Sequence, residues 1–142
     1  MKQYNRGFTA GCFDFFHKGH LNLIKSAKAH CAHLIVGVNS DELVASYKQK
    51  VPLQSLQDRM EIVASIRYVD ESVRVDSLDK VKAWEQYHFD VVFIGDDWKG
   101  SERWTKTEAD LKKVGVDVVY LPYTKGISST SIRNEIKKEP NA

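Results

Sequence analysis

Short β-rich runs alternate with longer amphipathic stretches along the 142 residues, and this alternation limits the fold more than any other feature. The runs predicted as strands are Gly7–Phe13, Leu34–Val38, Tyr68–Val75, Asp90–Gly95 and Val116–Leu121. Helices are predicted at Gly19–Cys31, Asp41–Tyr47, Gln57–Ile66, Lys80–His88, Glu108–Lys113 and Ser129–Lys138, with a polar loop at Asp96–Thr107. Apolar strands separated by helices indicate a parallel sheet that is covered on both faces.

Right-handed crossovers leave few topologies for such a chain. We therefore predict a single α/β domain over residues 1–142, a doubly wound, Rossmann-like, five-stranded parallel sheet with strand order 3-2-1-4-5. Hydrophobic residues make up 42% of the chain, which suffices for one core, and we find no internal repeat or linker.

Composition and charge exclude several classes of protein. The 21 Lys+Arg and 19 Asp+Glu residues nearly balance, which does not favour a nucleic-acid partner or a membrane surface. No apolar run approaches the roughly 20 residues of a membrane span, and the first residues do not look like a secretory signal. The two cysteines form no CxxC pair, so a disulfide scaffold is not expected. We expect a cytoplasmic protein.

The predicted topology brings three polar segments to one crevice. In the order 3-2-1-4-5, strands one and four are neighbours where the winding reverses, and ligands bind there at the carboxyl ends of the strands. The segments that leave strands one, four and five are residues 14–20, 96–100 and 124–130. We expect them to surround one ligand.

The side chains of these segments favour phosphate as the ligand. His17 and His20 are three residues apart, so their imidazoles can point to one side and donate to phosphoryl oxygens. Ser128–Thr130 begins the last predicted helix, whose free N–H groups attract anions, and Gly19 and Gly126 allow the backbone to approach a ligand. Further cationic donors are Lys48, Lys50, Arg59 and Arg67.

Each of these features also has a plain structural interpretation. Ser128–Thr130 suits any helix N-cap, and Asp14 after a strand is ordinarily a turn former. Arginines on a helix, such as Arg59, are by default solvated, and Cys12 with the two histidines is a possible zinc site. P-loop (GxxxxGKS/T), dinucleotide (GxGxxG) and nucleophile-elbow (GxSxG) motifs are all absent. The histidine motif combined with the Ser/Thr helix start is the signal that remains.

Four segments together resemble one family, the HxGH nucleotidyltransferases, and within it the glycerol-3-phosphate cytidylyltransferases. They are the FD-x-x-HxGH signature at residues 11–20, RYVDE at residues 67–71, GDDW at residues 95–98 and a GIST-like signature at residues 126–130. They appear in the family's order, and the resemblance extends from about Gly7 to Ile136.

The resemblance implies transfer of CMP from CTP to a small phosphorylated alcohol, with Mg²⁺ as cofactor and pyrophosphate as the other product. It gives catalytic roles to His17, His20, Lys50 and Arg67, and acceptor-binding roles to Asp41, Lys48, Arg59 and Lys125. The nucleotide-binding positions are Gly11, Cys12, Phe13, Asp14, Gly19, Gly95, Asp96, Asp97, Trp98, Ile127, Ser128, Ser129 and Thr130. It also implies a homodimer, and a role in supplying CDP-glycerol or a relative for a cell-wall or capsular polymer.

The sequence departs from the family pattern at three positions. Tyr123 stands where the family usually carries an arginine, Lys125 occupies a position that is often acidic, and Cys12 replaces a commoner threonine. Lys125 is therefore a candidate to replace the arginine, without its bidentate geometry. Two other functions stay open: adenylyl transfer from ATP to another phosphorylated acceptor, and a flavin- or nucleotide-binding module without catalysis.

Overall fold

A computed structural model describes residues 3–48 and 50–124 of the chain. The strands in these ranges are β1 (Tyr4–Gly11), β2 (Cys31–Asn39), β3 (Glu71–Val75), β4 (Val91–Gly95) and β5 (Asp117–Leu121). The α-helices are α1 (Lys18–His30), α2 (Asp41–Lys48), α3 (Leu56–Ala64), α4 (Lys80–Tyr87) and α5 (Glu102–Lys113), and a 3₁₀ turn covers Asp96–Trp98. The helix predicted at Ser129–Lys138 lies outside the described residues. Among the described helices, none is long and apolar enough to cross a bilayer.

The sheet confirms the predicted topology. Its strand order is β3-β2-β1-β4-β5, and every neighbouring pair is parallel. In β1, Phe8 pairs with Ile35 of β2 on one side and with Val92 of β4 on the other. The winding therefore reverses between β1 and β4, which places the carboxyl end of β1 beside that of β4.

The sheet carries a buried apolar layer on each face. Ile35 belongs to the layer that also holds Phe8 and Trp104, whereas its neighbours Leu34 and Val36 belong to the layer that holds Ile24. Successive residues of a strand point to opposite faces, so a continuous apolar strand supplies both layers at once.

The polar loop predicted at Asp96–Thr107 is wrong, because α5 begins at Glu102 within it. Ser101 is the N-cap, and its Oγ accepts a hydrogen bond from the backbone N–H of Trp104 at 3.2 Å. Trp104 is 2% exposed, so the first turn of α5 is fixed by one cap and one buried ring. A single aromatic among polar residues gives little helical periodicity, which is why the prediction began the helix six residues late.

Replacing Trp104 with Ala should lower the free energy of unfolding by about 3–5 kcal/mol, because it leaves a large cavity in a fully buried layer. The matched variant Trp98→Ala removes a ring that is 42% exposed, and we expect it to cost less than about 1 kcal/mol. Urea denaturation of both variants measures the difference. Equal costs would contradict the placement of α5.

Candidate active site

His17 and His20 form a reciprocal cap at the start of α1. The Nδ1 atom of His17 accepts a hydrogen bond from the backbone N–H of Gly19 at 3.1 Å. The Nδ1 atom of His20 accepts one from the backbone N–H of His17 at 3.2 Å. A ring nitrogen that accepts a hydrogen bond carries no proton, so both neutral imidazoles hold their proton on Nε2. The cap thus provides two Nε2–H donors on one side of the loop.

The surroundings of the two rings keep them neutral. The rings stack with their centroids 3.9 Å apart, and the His20 ring also contacts Phe13 and Phe16. Burial is the main cause that lowers the pKa of His20 to about 3; the Lys48 ammonium, and a proton on His17 when it binds one, act in the same direction, and Asp14 opposes them. Burial also lowers the pKa of His17. At neutral pH the pair therefore offers hydrogen bonds to an anion without carrying charge.

Asp14 ties the loop before α1 to the segment before α3. Its buried carboxylate accepts hydrogen bonds from the backbone N–H groups of Leu53 at 3.0 Å and Gln54 at 3.1 Å. The side chain of Gln54 in turn accepts the N–H of Phe15 at 2.8 Å. Phe13 and Phe15 both have positive φ values, 56° and 52°, which are strained for large side chains. These hydrogen bonds hold the histidine loop in a conformation that it would not otherwise prefer.

Arg59 is fully buried, and the expectation that its charge is solvated is wrong. Its Nη1 donates to the carbonyl oxygens of Cys12 at 2.8 Å and Asn39 at 2.7 Å, and its Nε donates to that of Gln54 at 3.0 Å. Its Nη2 pairs with the carboxylate of Asp41. The guanidinium therefore joins the ends of β1 and β2 to α2 and α3, and it presents no surface to an acceptor. In the structure it holds these segments together.

The other predicted cations lie in different places. Lys48 is exposed at the end of α2, and its positive charge acts to lower the pKa values of His20 and Cys12. Lys50 is exposed, without a salt bridge among the described residues. Arg67 lies four residues before β3, at the amino edge of the sheet, where it packs on the Tyr68 ring. The histidines lie at the carboxyl edge, so within one chain the structure does not bring Arg67 to them.

The segments that follow β4 and β5 come together as predicted, as far as the structure describes them. The backbone N–H of Tyr123 donates to Asp96 Oδ1 at 3.1 Å. The Nδ2 of Asn22, in α1, donates to Thr124 Oγ1 at 3.1 Å. Asp97 and Trp98 are exposed in the 3₁₀ turn that follows Gly95. The candidate positions Lys125, Ile127, Ser128, Ser129 and Thr130 lie outside the described residues, and their roles remain predictions.

A cavity of about 370 Å³ adjoins the start of the histidine loop at Gly11 and Cys12. Sequence analysis missed the other polar lining residues, which are Asn39, Tyr47, Lys80 and Arg103. Asn39 gave a usable signal, since it is a polar residue at the carboxyl end of a strand, whereas Lys80 and Arg103 fall in polar stretches. A larger depression of about 620 Å³, lined by Tyr4, Glu108 and Asp117, lies far from the histidines at the amino edge.

Neither zinc chemistry nor thiol chemistry finds support at this site. Within residues 3–48 and 50–124 there is no group of three His, Cys, Asp or Glu side chains that could hold a metal ion. Burial is the largest effect on Cys12 and raises the pKa of its thiol, which disfavours the reactive thiolate. The described side chains at the site include the hydrogen-bond donors of His17 and His20 and the cation of Lys48, which suit an anionic ligand.

Comparisons with known proteins show the family of the chain and its fold. Residues 8–135 match the family described as Cytidylyltransferase-like. Glycerol-3-phosphate cytidylyltransferase of Bacillus subtilis (strain 168) is 38% identical over 135 residues, covering 90% of this chain and 94% of that protein. FAD synthase of Korarchaeum cryptofilum (strain OPF8) is 32% identical over 141 residues, covering 97% of this chain and 95% of that protein. A solved structure, the lipopolysaccharide core biosynthesis protein of Thermoplasma volcanium GSS1, shares the fold with a TM-score of 0.72 at 24% identity. The match covers 87% of this chain and 99% of that protein.

The family match and the curated relative identify a nucleotidyltransferase, which confirms the resemblance seen in the sequence. The chain belongs to the cytidylyltransferase-like family.

The neutral state of His20 should make stability depend on pH. The unfolded chain binds a proton at His20 below about pH 6.5, whereas the folded chain does so only near pH 3, so acid favours unfolding. Between pH 7 and pH 4 the free energy of unfolding of the unmodified protein should fall by about 3 kcal/mol more than that of the His20→Asn variant. The Asn side chain can still accept the His17 N–H through its Oδ1. Urea denaturation across this range measures the difference. The control is His88→Asn, at an exposed position whose φ of 52° Asn tolerates, and its stability should depend on pH as that of the unmodified protein does. If the stability of His20→Asn showed this same pH dependence, His20 would not be the cause.

Substitution of the buried guanidinium should be costly. Lysine cannot reproduce its planar set of donors, so Arg59→Lys should lower the free energy of unfolding by about 3 kcal/mol and leave carbonyl groups unpaired. Arg67→Lys, the same change at an exposed position, should cost less than about 0.5 kcal/mol. Equal effects in thermal or urea unfolding would show that Arg59 does not hold the site together.

Proposed function

We propose that this chain transfers a cytidylyl group from CTP to the phosphate of glycerol 3-phosphate or a closely related polyol phosphate. The products are a CDP-alcohol and pyrophosphate. The observation that carries the proposal is the pair of neutral Nε2–H donors of His17 and His20, held at the point where the sheet reverses its winding. The relative from Bacillus subtilis supports the choice of acceptor.

The reaction suits a site without a general base. An oxygen of the acceptor phosphate attacks the α-phosphorus of CTP, and the bond from that phosphorus to the oxygen bridging to the β-phosphate breaks. The acceptor phosphate is largely dianionic at pH 7, since its second pKa is about 6, so no proton needs to be removed. Negative charge builds up on the departing pyrophosphate, and donors that are already oriented stabilise it. Mg²⁺ would accompany CTP as part of the nucleotide substrate and would supply charge neutralisation for its phosphates.

The residues of this chain supply position and charge. Nε2–H of His17 and His20 would donate to the α- and β-phosphate oxygens, and the N-terminus of α1 adds its positive end. Lys48 adds a cation on the acceptor side. Lys50, together with the helix start predicted at Ser128–Thr130, would hold the triphosphate. A homodimer and a role in cell-wall or capsular polymer synthesis remain predictions from the resemblance.

A second candidate is adenylyl transfer from ATP, which the similarity to an FAD synthase over nearly the whole chain favours. The two candidates share the histidine chemistry and differ in the base and the acceptor. Pyrophosphate release should therefore be measured with CTP and with ATP, each with Mg²⁺ and with glycerol 3-phosphate, ribitol 5-phosphate, phosphocholine or phosphoethanolamine. Release with CTP and a polyol phosphate supports the proposal. Release confined to ATP supports the second candidate, and no release with any pair refutes both.

Loss of either histidine donor should slow the chemical step. His17→Asn and His20→Asn can each keep a side-chain acceptor for the cap but lose the Nε2–H donor, so kcat should fall by about 10²–10³-fold. Thermal unfolding at pH 8 should stay close to that of the unmodified protein. His88→Asn serves as the control and should keep full activity. Near-normal turnover in either active-site variant would remove that histidine from the proposed mechanism.

A further inference from the structure

Gln54 forms three hydrogen bonds that tie the histidine loop to the buried guanidinium. Its backbone N–H donates to Asp14 Oδ1 at 3.1 Å, and its side-chain Oε1 accepts the backbone N–H of Phe15 at 2.8 Å. Its carbonyl oxygen accepts a hydrogen bond from Arg59 Nε at 3.0 Å. Gln54 is half-buried and lies two residues before α3. One residue thus connects the start of the histidine loop with the cation that joins the strand ends.

Phe15 has a backbone conformation that its large side chain does not favour. Its φ is 52°, and that of Phe13 is 56°. Among the described residues, the one other non-glycine residue with a positive φ is His88, at the end of α4. The left-handed region crowds a large side chain, so a phenylalanine stays there only where surrounding contacts hold it. The N–H that Gln54 accepts belongs to this strained residue, so the bond acts at the point where the loop would otherwise relax.

The strained segment leads directly into the two histidine donors. Phe15 is two residues before His17, whose backbone N–H donates to His20 Nδ1 at 3.2 Å. Between them, Phe16 packs its ring with its centroid 5.4 Å from that of the His20 ring. A change in the φ of Phe15 would move the Phe16 ring and the His17 N–H together. His20 would then lose the hydrogen bond that keeps its proton on Nε2.

We propose that Gln54 is a positioning residue for the transfer reaction: its Oε1 holds Phe15 in the left-handed conformation and so sets the direction and the tautomer of the histidine donors. The inference rests on the proposed function and requires no contact between Gln54 and a substrate. Misplacing catalytic groups by about 1 Å can cost about 10²-fold in rate. A residue that only braced the fold would change stability and leave the histidines and the turnover as they are.

Variants of Gln54 separate these two roles. Gln54→Met keeps the length of the side chain but has only a weak acceptor, Gln54→Ala loses the acceptor by truncation, and Gln54→Glu keeps an acceptor oxygen for the Phe15 N–H. Gln54→Met and Gln54→Ala should each lower kcat for pyrophosphate release at least about tenfold and change KM for CTP less than about threefold. Gln54→Glu should recover at least about half of the loss on a logarithmic scale. Gln57→Met, the same change at an exposed position of α3, is the matched control and should keep full activity.

The histidine tautomers can be measured without any substrate. In proton–nitrogen correlation NMR spectra of the imidazole rings at pH 8, His17 and His20 of the unmodified protein should carry their proton on Nε2 alone. The signals missing from His17→Asn and His20→Asn assign the two rings. Gln54→Met and Gln54→Ala should shift His20 toward a mixture of both tautomers, whereas Gln54→Glu and Gln57→Met should not.

Hydrogen exchange tests the central bond in the unmodified protein. The Phe15 amide proton should exchange with solvent at least about a hundredfold more slowly than an unprotected amide, because Gln54 Oε1 accepts it. Exchange at the unprotected rate overturns the proposal, whatever the variants do. Thermal unfolding shows which variants are folded at the assay temperature.

The remaining outcomes are equally decisive. A lower kcat together with mixed His20 tautomers in a variant without the acceptor, both recovered in Gln54→Glu, supports the proposal. A lower kcat with unchanged tautomers, changed tautomers with a normal kcat, neither effect, or no recovery in Gln54→Glu overturns it. Failure of the proposed function appears separately, as the absence of pyrophosphate release by the unmodified protein. The tautomer and exchange measurements then still decide whether Gln54 positions the histidines.

Discussion

The guanidinium of Arg59 joins the parts of the chain that make the site. Four separate segments meet at it: the carbonyl ends of β1 and β2, the carboxylate at the start of α2 and the residues before α3. Each of these is a strand end or a helix start, where backbone groups lack partners within their own element. One buried cation satisfies three carbonyl groups and a carboxylate at once. The histidine loop and the adjoining cavity are therefore fixed relative to each other before any ligand arrives.

The two histidines show how backbone hydrogen bonds set chemistry. Both Nδ1 atoms accept backbone hydrogen bonds in the cap at the start of α1, and burial keeps the rings neutral. Their Nε2–H groups are therefore oriented as donors, and neither ring needs to be protonated. A phosphate nucleophile needs no base, and a pyrophosphate leaving group needs stabilisation of charge. A rigid pair of donors beside cations matches these needs better than a titrating imidazole would.

The cavity beside the histidine loop draws its lining from several elements of the fold. The histidine loop joins β1 to α1, and the cavity beside it is lined by the ends of β1, β2 and β4, by the end of α2 and by the starts of α4 and α5. Lys80, Arg103 and Asn39 give this cavity a polar wall with two cations.

The apolar periodicity of the sequence determined the sheet order, and the resemblance of four segments to one family indicated the reaction class. The sequence did not reveal that Arg59 is buried, since a charged residue on a helix looks solvated until carbonyl groups from distant strands converge on it. It placed Arg67 among the catalytic residues, but the parallel direction of β3 puts that side chain at the opposite edge of the sheet. Asn39, Lys80 and Arg103 come from three elements far apart in the chain, so only tertiary packing could bring them to one cavity.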